Sequence, residues 1–318
     1  TLTTGQWYHI VATFDGTTKS IYINGKLDNS VTWSNTIGYT STVTGIGYLR
    51  YLSSQYLNGF LDEIKVYNFS KTAAQIQSDF NSRSNPDAAG AVLGQRRNNN
   101  YNALSNGLVS YWKMDEASGN LVDSSGTGAS GTDTSTTVAA GKFGNGRTFN
   151  GSTSKVAVSS ETNLNASSLT VSAWVNLAAS QTSRIFIGKY TQVSTATGWG
   201  LGISDSTTNK PKWYTSTGST SDTLEGTALS NSTWAHVVGT FDGTTKKLYI
   251  NGVLDNSIEW AKSIGYTSTV TGIGYLRQTS TQYLNGSLDE VRVYNRALSP
   301  AEISSLYNFA PGPVGYWK

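Results

Sequence analysis

Residues 14–30 read FDGTTKSIYINGKLDNS, and residues 241–257 read FDGTTKKLYINGVLDNS, 227 positions later. Each copy spells the same local structure. Phe-Asp-Gly turns the chain and an alternating run follows. Asn-Gly then accepts the positive φ angles of a type I′ turn and sends a second strand back. Working outward, the register holds without a gap. Trp7 meets Trp234 and His9 meets His236. The run IGYTSTVTGIGYLR is identical at Ile37–Arg50 and Ile264–Arg277, and YLNGFLDEIKVYN from Tyr56 answers YLNGSLDEVRVYN from Tyr283. About 50 of the first 81 residues are identical to those 227 further on, which makes the repeat the first fact of the fold.

Residues 106–227 have no earlier copy, while PVGYWK at 313–318 resembles LVSYWK at 108–113. The expected organisation follows: 1–81 the C-terminal part of a repeat, 82–106 a linker, 107–309 a complete repeat, and 310–318 the first strand of a following repeat. The linker has a Pro, a run of Asn and no sustained period. The second junction, FAPGP, is much shorter. The chain is expected to be a segment of a longer tandem protein, with PVGYWK lacking a sheet of its own.

Composition narrows the class. There is no Cys, so disulfides and thiolate metal sites are excluded. Two His, one Met, 18 Tyr and 9 Trp in a Thr- and Gly-rich chain suit strands. Net charge is +3, with no basic stripe, which argues against nucleic acid as a partner. No apolar run approaches the roughly 20 residues that span a membrane.

The periodicity is mostly two. In SLTVSAWVN, Leu169, Val171, Ala173 and Val175 share one face, with Thr170, Ser172 and Trp174 on the other. In WAHVVGTFDG, Ala235, Val237, Gly239 and Phe241 oppose Trp234, His236, Val238 and Thr240. Alternation places Asp289 with Val291 and Val293. Helix is scarce. Ser299, Pro300 and Glu302 make a capping box for a helix closing the complete repeat, and Ser70 is the expected cap in the first copy. Many short strands with turn signals indicate an all-β antiparallel β-sandwich with a short C-terminal helix per repeat.

The ordered series LVSYWKMDEASGN, VDSSGTGASGT, FNGSTSKVAVSS, LTVSAWVN, WAHVVGTFDGTTKKLYINGVL and LNGSLDEVRVYNRALSPAEI resembles the laminin G-like jelly rolls of the concanavalin A-like lectin/glucanase superfamily. The resemblance covers 107–308 and the back part in 1–81. It implies a concanavalin A-like jelly roll, usually secreted or on a cell surface. Carbohydrate binding, adhesion and protein binding are its implied functions, often with calcium.

Chemistry is sparse. A glycoside hydrolase needs two carboxylates about 5 to 10 Å apart across one bond. Asp289-Glu290 and Asp115-Glu116 are neighbours in probable strands, so alternation points each pair to opposite faces. The Glu-x-Asp-x-x-Glu pattern of the similar glucanases is absent, as is a GxSxG elbow. His236 reads as a hydrogen-bonded sheet residue. A carboxylate at the end of the core face needs compensation, and calcium supplies it with oxygen ligands. The resemblance places such an ion between the VDSSGTG loop and the last strand. That makes Asp123 and Asp289 the candidates, with Asp62 in the first copy. The family's loop often has Asn-Gly where this chain has Thr127-Gly128. The alternative is an Asx-turn at Asp123 and N–H donors for Asp289.

Sugars stack on aromatic rings flanked by polar groups. The candidate ligand residues are Trp174, Trp213, Tyr214, His236, Tyr249 and Trp260. The expected function is a non-catalytic extracellular adhesion or carbohydrate-binding module in a repetitive cell-surface protein, its partner a glycan or a surface protein. The alternative is a structural building block of a filament or stalk that self-associates through its repeats.

Overall fold

The computed structural model describes residues 2–33, 35, 37, 45–48, 56–67, 69–84, 104–126, 128–159, 162–191, 196–267, 271–276, 282–308 and 315–317. Most of the 82–106 linker, the FAPGP junction and Thr127 lie outside them. The chain forms two compact units, 1–91 with 310–318, and 92–309.

In the first unit, β1 (Ile10–Phe14), β2 (Thr18–Ile23) and β3 (Lys26–Thr32) form an antiparallel sheet. A short strand β4 (Ile64–Val66) and helix α1 (Ala73–Ser84) follow. The helix cap is Thr72 and not Ser70. The Thr72 Oγ1 accepts from the Gln75 amide at 3.3 Å, and the Gln75 side chain accepts from the Thr72 amide at 2.9 Å. Ser70 falls two residues short of the helix start, whereas Thr72 is the partner in register of Ser299.

The second unit is a sandwich of two antiparallel sheets. Its strands are β5 (Leu108–Trp112), β6 (Gly131–Thr134), β7 (Thr137–Ala140), β8 (Asn145–Asn150) and β9 (Lys155–Val158). Next come β10 (Leu169–Leu177), β11 (Arg184–Thr191), β12 (Thr197–Ile203), β13 (Pro211–Thr217) and β14 (Ser221–Glu225). The series ends with β15 (Trp234–Phe241), β16 (Thr245–Ile250), β17 (Val253–Glu259), β18 (Thr271–Ile273), β19 (Asn285–Tyr294) and helix α2 (Pro300–Tyr307). One sheet runs β17-β16-β15-β10-β19-β8-β7, with β5 also on β19; the other runs β14-β13-β12-β11-β18-β9-β6.

The core lies between the sheets. Leu169, Val171, Ala173 and Val175 enter it from β10, Val237 and Phe241 from β15, Trp199, Leu201 and Ile203 from β12, and Trp213 from β13. Helix α2 starts on the Ser299–Glu302 capping box. It lays Ile303 and Leu306 over Val238, Tyr249 and Tyr294 on the outer face of the first sheet. The hairpin turn forms with Asn251 at φ 52° and Gly252 at φ 81°, as type I′ geometry requires.

Strand β19 departs from simple alternation. Leu288, Val291 and Val293 are all in the core, so the two residues between Leu288 and Val291 lie on the outer face together. A β-bulge accounts for this. The register with β10 shifts between Ser172 and Trp174, and Glu290 has φ 53°. Asp289 therefore lies opposite Trp174, away from the face of Val291 and Val293 where alternation had placed it. The bulge sits where β19 changes neighbours, from β8 along Asn285–Leu288 to β5 along Val291–Tyr294. Glu63, at the equivalent position in the first unit, also has a positive φ, 56°.

A last strand, β20 (Gly315–Trp317), pairs antiparallel with β4. The terminal PVGYWK segment thus has a sheet partner within this chain, contrary to the expectation from sequence. The reason is that β4 offers the same edge that β19 offers to β5.

Candidate functional site

The outer face of the second sheet brings two tyrosines together beside polar side chains. Strand β12, between β13 and β11, alternates Trp199, Leu201 and Ile203 into the core with Gly198, Gly200 and Gly202 on the other face. Gly198 pairs with Tyr190 of β11, and Gly200 pairs with Tyr214 of β13. The glycine strip is buried, and the partly exposed Tyr190 and Tyr214 from the flanking strands meet edge to face, with ring centroids 4.4 Å apart. The shallow groove beside them is lined by Ile185, Tyr190, Gly200, Asp205, Lys212, Tyr214 and Gln282, and encloses about 20 Å³, room for about one water molecule.

The glycines are not equivalent. A Cβ on Gly198 would stand 1.9 Å from the Lys189 carbonyl oxygen, and one on Gly202 would stand 2.1 Å from that of Arg184. Those two are fixed by close backbone approach. A Cβ on Gly200 would meet nothing nearer than Ile185 Cδ1 at 3.8 Å, an ordinary contact. Close backbone approach does not require glycine at 200, which is nonetheless buried.

Polar groups border the strip. Lys212 Nζ donates to both Asp205 oxygens at 2.7 Å, and Ser183 Oγ donates to Asp205 Oδ1 at 2.9 Å. The ammonium is neutralised where it stands. Burial, together with the hydrogen bond to Tyr214, pushes the Tyr190 phenol up, so it stays an uncharged hydroxyl.

Of the six ligand candidates read from sequence, Tyr214 lies in this groove. The other five are buried. Trp213 is fully enclosed in the core, its Nε1 donating to the Thr240 carbonyl at 3.0 Å. Trp260 packs on Phe241, with ring centroids 5.4 Å apart. Trp174, His236 and Tyr249 lie on the polar side of their strands, but α2 covers that side. Trp174 stacks on Tyr307 of α2 at 5.5 Å and on His236 at 5.2 Å, and is 2 % exposed. Strand alternation assigns a face, but it does not say what covers the face. Tyr190 was missed. The signal for it was the WGLGI run, in which glycine takes every outward position.

Under α2 lies a polar cluster. His236 is 2.8 Å from Ser172 Oγ through Nε2. Burial, with the positive Arg292 and Lys142 adding to it, pushes its pKa down to about 3. Tyr111 donates its phenol to Glu290 Oε2 at 2.6 Å, and Arg292 pairs with the same oxygen. Asp289 accepts the Phe143 amide at 2.8 Å through Oδ2, while its Oδ1 is buried without a partner. Burial, then the Glu290 charge, holds its carboxyl well above the usual carboxylate range. Asp289 and Glu290 share a face, which overturns the alternation argument against a carboxylate pair. The two residues are buried, at 0 % and 1 % exposed. Asp115 and Glu116 lie past the end of β5, outside any strand. Asp115 accepts the Asn145 amide and Glu116 the Val122 amide.

The calcium candidates do not gather. Asp123 Oδ1 accepts the Tyr111 amide at 2.7 Å. Its Oδ2 accepts the amides of Ser125, Gly126 and Gly128 and the Ser125 hydroxyl. Those donors point at the lone pairs a cation would need, so Asp123 does not fit as a ligand. Asp289 accepts from Phe143 and not from the Asp123 loop, and Asp62 is exposed. Among the described residues no three His, Asp or Glu side chains group as a metal site.

A double-layered antiparallel jelly roll with an aromatic groove on one sheet defines a lectin-like class. The chain belongs to the concanavalin A-like lectin/glucanase superfamily: the laminin G family model of that description matches residues 1–77 and 149–304. Similar solved structures include domain 4 of AbnA, a GH43 extracellular arabinanase from Geobacillus stearothermophilus, in complex with arabinotriose. It is 22% identical, with a TM-score of 0.50, covering 63% of this chain and 98% of that one. The binding domain of botulinum neurotoxin serotype D is 19% identical, with a TM-score of 0.53, covering 65% and 52%. That of Paraclostridial Mosquitocidal Protein 1 is 17% identical, with a TM-score of 0.52, covering 64% and 52%. The match spans about half the length of the two toxin domains. At these identities the likeness is one of fold. No curated protein matches the sequence. No helix among the described residues is long and apolar enough to cross a membrane.

Proposed function

We propose that residues 107–309 form a non-catalytic carbohydrate-binding module that works outside the cell, with its ligand laid over the paired rings of Tyr190 and Tyr214 on the outer face of the second sheet. The observation that carries this reading is the partly exposed Tyr190–Tyr214 pair, which stands beside Asp205 and Gln282 on the outer face of the sheet. Pyranose or furanose C–H faces fit against the tyrosine rings, and Asp205, Lys212 and Gln282 offer donors and acceptors to the hydroxyls. The paired Lys212–Asp205 charges favour a neutral glycan over an anionic one. The family membership and an oligosaccharide complex on a similar fold support the reading. Binding through such a module is the basis of adhesion to glycan-coated surfaces.

The test is titration of the full chain against neutral and acidic polysaccharides. Tyr190→Ala and Tyr214→Ala are each expected to weaken binding about tenfold or more, the equivalent of about 1.4 kcal/mol. Gly200→Val, which crowds the side chains around the groove, is expected to weaken binding, and Gly200→Ala to weaken it less. Binding unchanged by all three, or turnover of any glycan, sinks the proposal.

A further inference from the structure

Two strands of similar sequence occupy equivalent edges. In the second unit, β5 lies on β19 with Trp112 opposite Val291, Tyr111 opposite Arg292 and Ser110 opposite Val293. In the first, β20 lies on β4 with Trp317 opposite Ile64, Tyr316 opposite Lys65 and Gly315 opposite Val66. Ile64, Lys65 and Val66 stand 227 positions before Val291, Arg292 and Val293. The two pairings are therefore one pairing, residue for residue, with Tyr-Trp in the same register.

Their origins differ. Strand β5 precedes its acceptor within one unit. Strand β20 reaches its acceptor from beyond the whole second unit, which lies between them in sequence. The acceptor edge does not require its donor to come from the same repeat. It takes a strand by main-chain pairing and register, as in strand addition. Loop-closure entropy rises only slowly with loop length, so the covalent origin of the donor changes its effective concentration and not the contact.

We propose that the Tyr-Trp strand is exchangeable between copies of this chain: Gly315–Trp317 of one copy takes the Ile64–Val66 edge of another. The donor and acceptor are different surfaces, so the contact is heterologous. It links copies in an open series unless two of them exchange reciprocally and close a dimer. The partner is a second copy because the edge is matched by a segment of this same sequence, in a register already realised once in the second unit.

The experiment uses the full 318-residue chain. Light scattering follows its mass over a hundredfold range of concentration, up to the ~1 mM effective concentration of a short tether. The expected result is monomer when dilute, with dimers or longer series as concentration rises. A synthetic peptide of residues 313–318 added in excess should shorten the series. The double variant Tyr316→Pro/Trp317→Pro, which removes whichever of the two N–H groups faces β4 and fixes φ at both positions, should abolish it. Since β20 lies outside the second unit, that unit's unfolding midpoint should not move in the variant and serves as the folding control. A single monomeric mass throughout, or association that neither the peptide nor the variant changes, overturns the proposal.

Discussion

The same hairpin occurs twice in two different surroundings. In the first unit, Asn24 donates its amide to the His9 carbonyl at 2.8 Å; in the second, Asn251 donates to His236 at 2.8 Å. The side chain of each Asn accepts the amide of the same His, at 3.0 and 2.9 Å. Phe14 meets Trp33 at 5.3 Å and 63°, and Phe241 meets Trp260 at 5.4 Å and 64°. Burial is where they part. Ile21 is 43% exposed and its counterpart Leu248 is 0% exposed. Turn chemistry and side-chain pairing hold the hairpin's geometry whether or not a second sheet covers it. The covering sheet adds stability without changing the local shape.

Core truncation should break the equivalence most. Leu248→Ala is expected to cost about 2–5 kcal/mol, while Ile21→Ala should stay within about 0.5 kcal/mol. Denaturant unfolding with hydrogen exchange resolved by unit reads both. Equal losses would mean that the first sheet is also covered in solution.

The next effect is a pH window. The folded pKa of His236, about 3, lies below the ordinary value of 6.5. The unfolded chain therefore binds the proton first. The contribution to stability is full above pH 6.5 and is lost as the pH falls towards 3, with a slope of up to about 1.4 kcal/mol per pH unit. Asp289 has the opposite sign. Its folded pKa is raised, so its contribution is full below the ordinary carboxylate value and is lost as the pH rises. Urea midpoints across this range should flatten on the acid side in His236→Gln. An unchanged slope would show that the ring is solvated.

Local signals should cost the same in both units. Ser299→Ala and Thr72→Ala each remove a cap worth about 1 kcal/mol. Asn24→Ala and Asn251→Ala each place a less tolerant residue at positive φ, at a cost of about 1–2 kcal/mol. A twofold difference between the units would show that the turns lean on tertiary packing. The smallest expected effect is that of chelation. With the Asp123 oxygens engaged by amides, EDTA should leave the second unit's melting temperature unchanged. A rise on adding calcium that Asp123→Asn removes would restore the cation site.

Sequence periodicity reached the sandwich because Leu169, Val171, Ala173 and Val175 alternate without interruption and the turns carry their own chemistry. It failed at Asp289 because a bulge leaves no mark in composition: LDEVRV looks like regular alternation. The site was legible only in Tyr214. Trp174, His236 and Tyr249 needed knowledge of α2, whose cover is set by contacts more than 50 residues away in sequence. Ser70 failed for a plainer reason, since the nearby Thr72 satisfied the same rule.

The bulge at Glu290 also bears on errors of assembly. A sheet built on strict alternation can slide by two residues and still bury an apolar face. Strand β19 has no such freedom. With Leu288 on one side of the irregularity and Val291 on the other, a slip of one residue drives acidic groups or Arg292 between the sheets, and a slip of two misplaces the junction between β8 and β5. The irregular point works as an index mark, admitting one alignment and rejecting its neighbours. The mark fixes the register of a pairing, whichever strand of matching sequence supplies the partner.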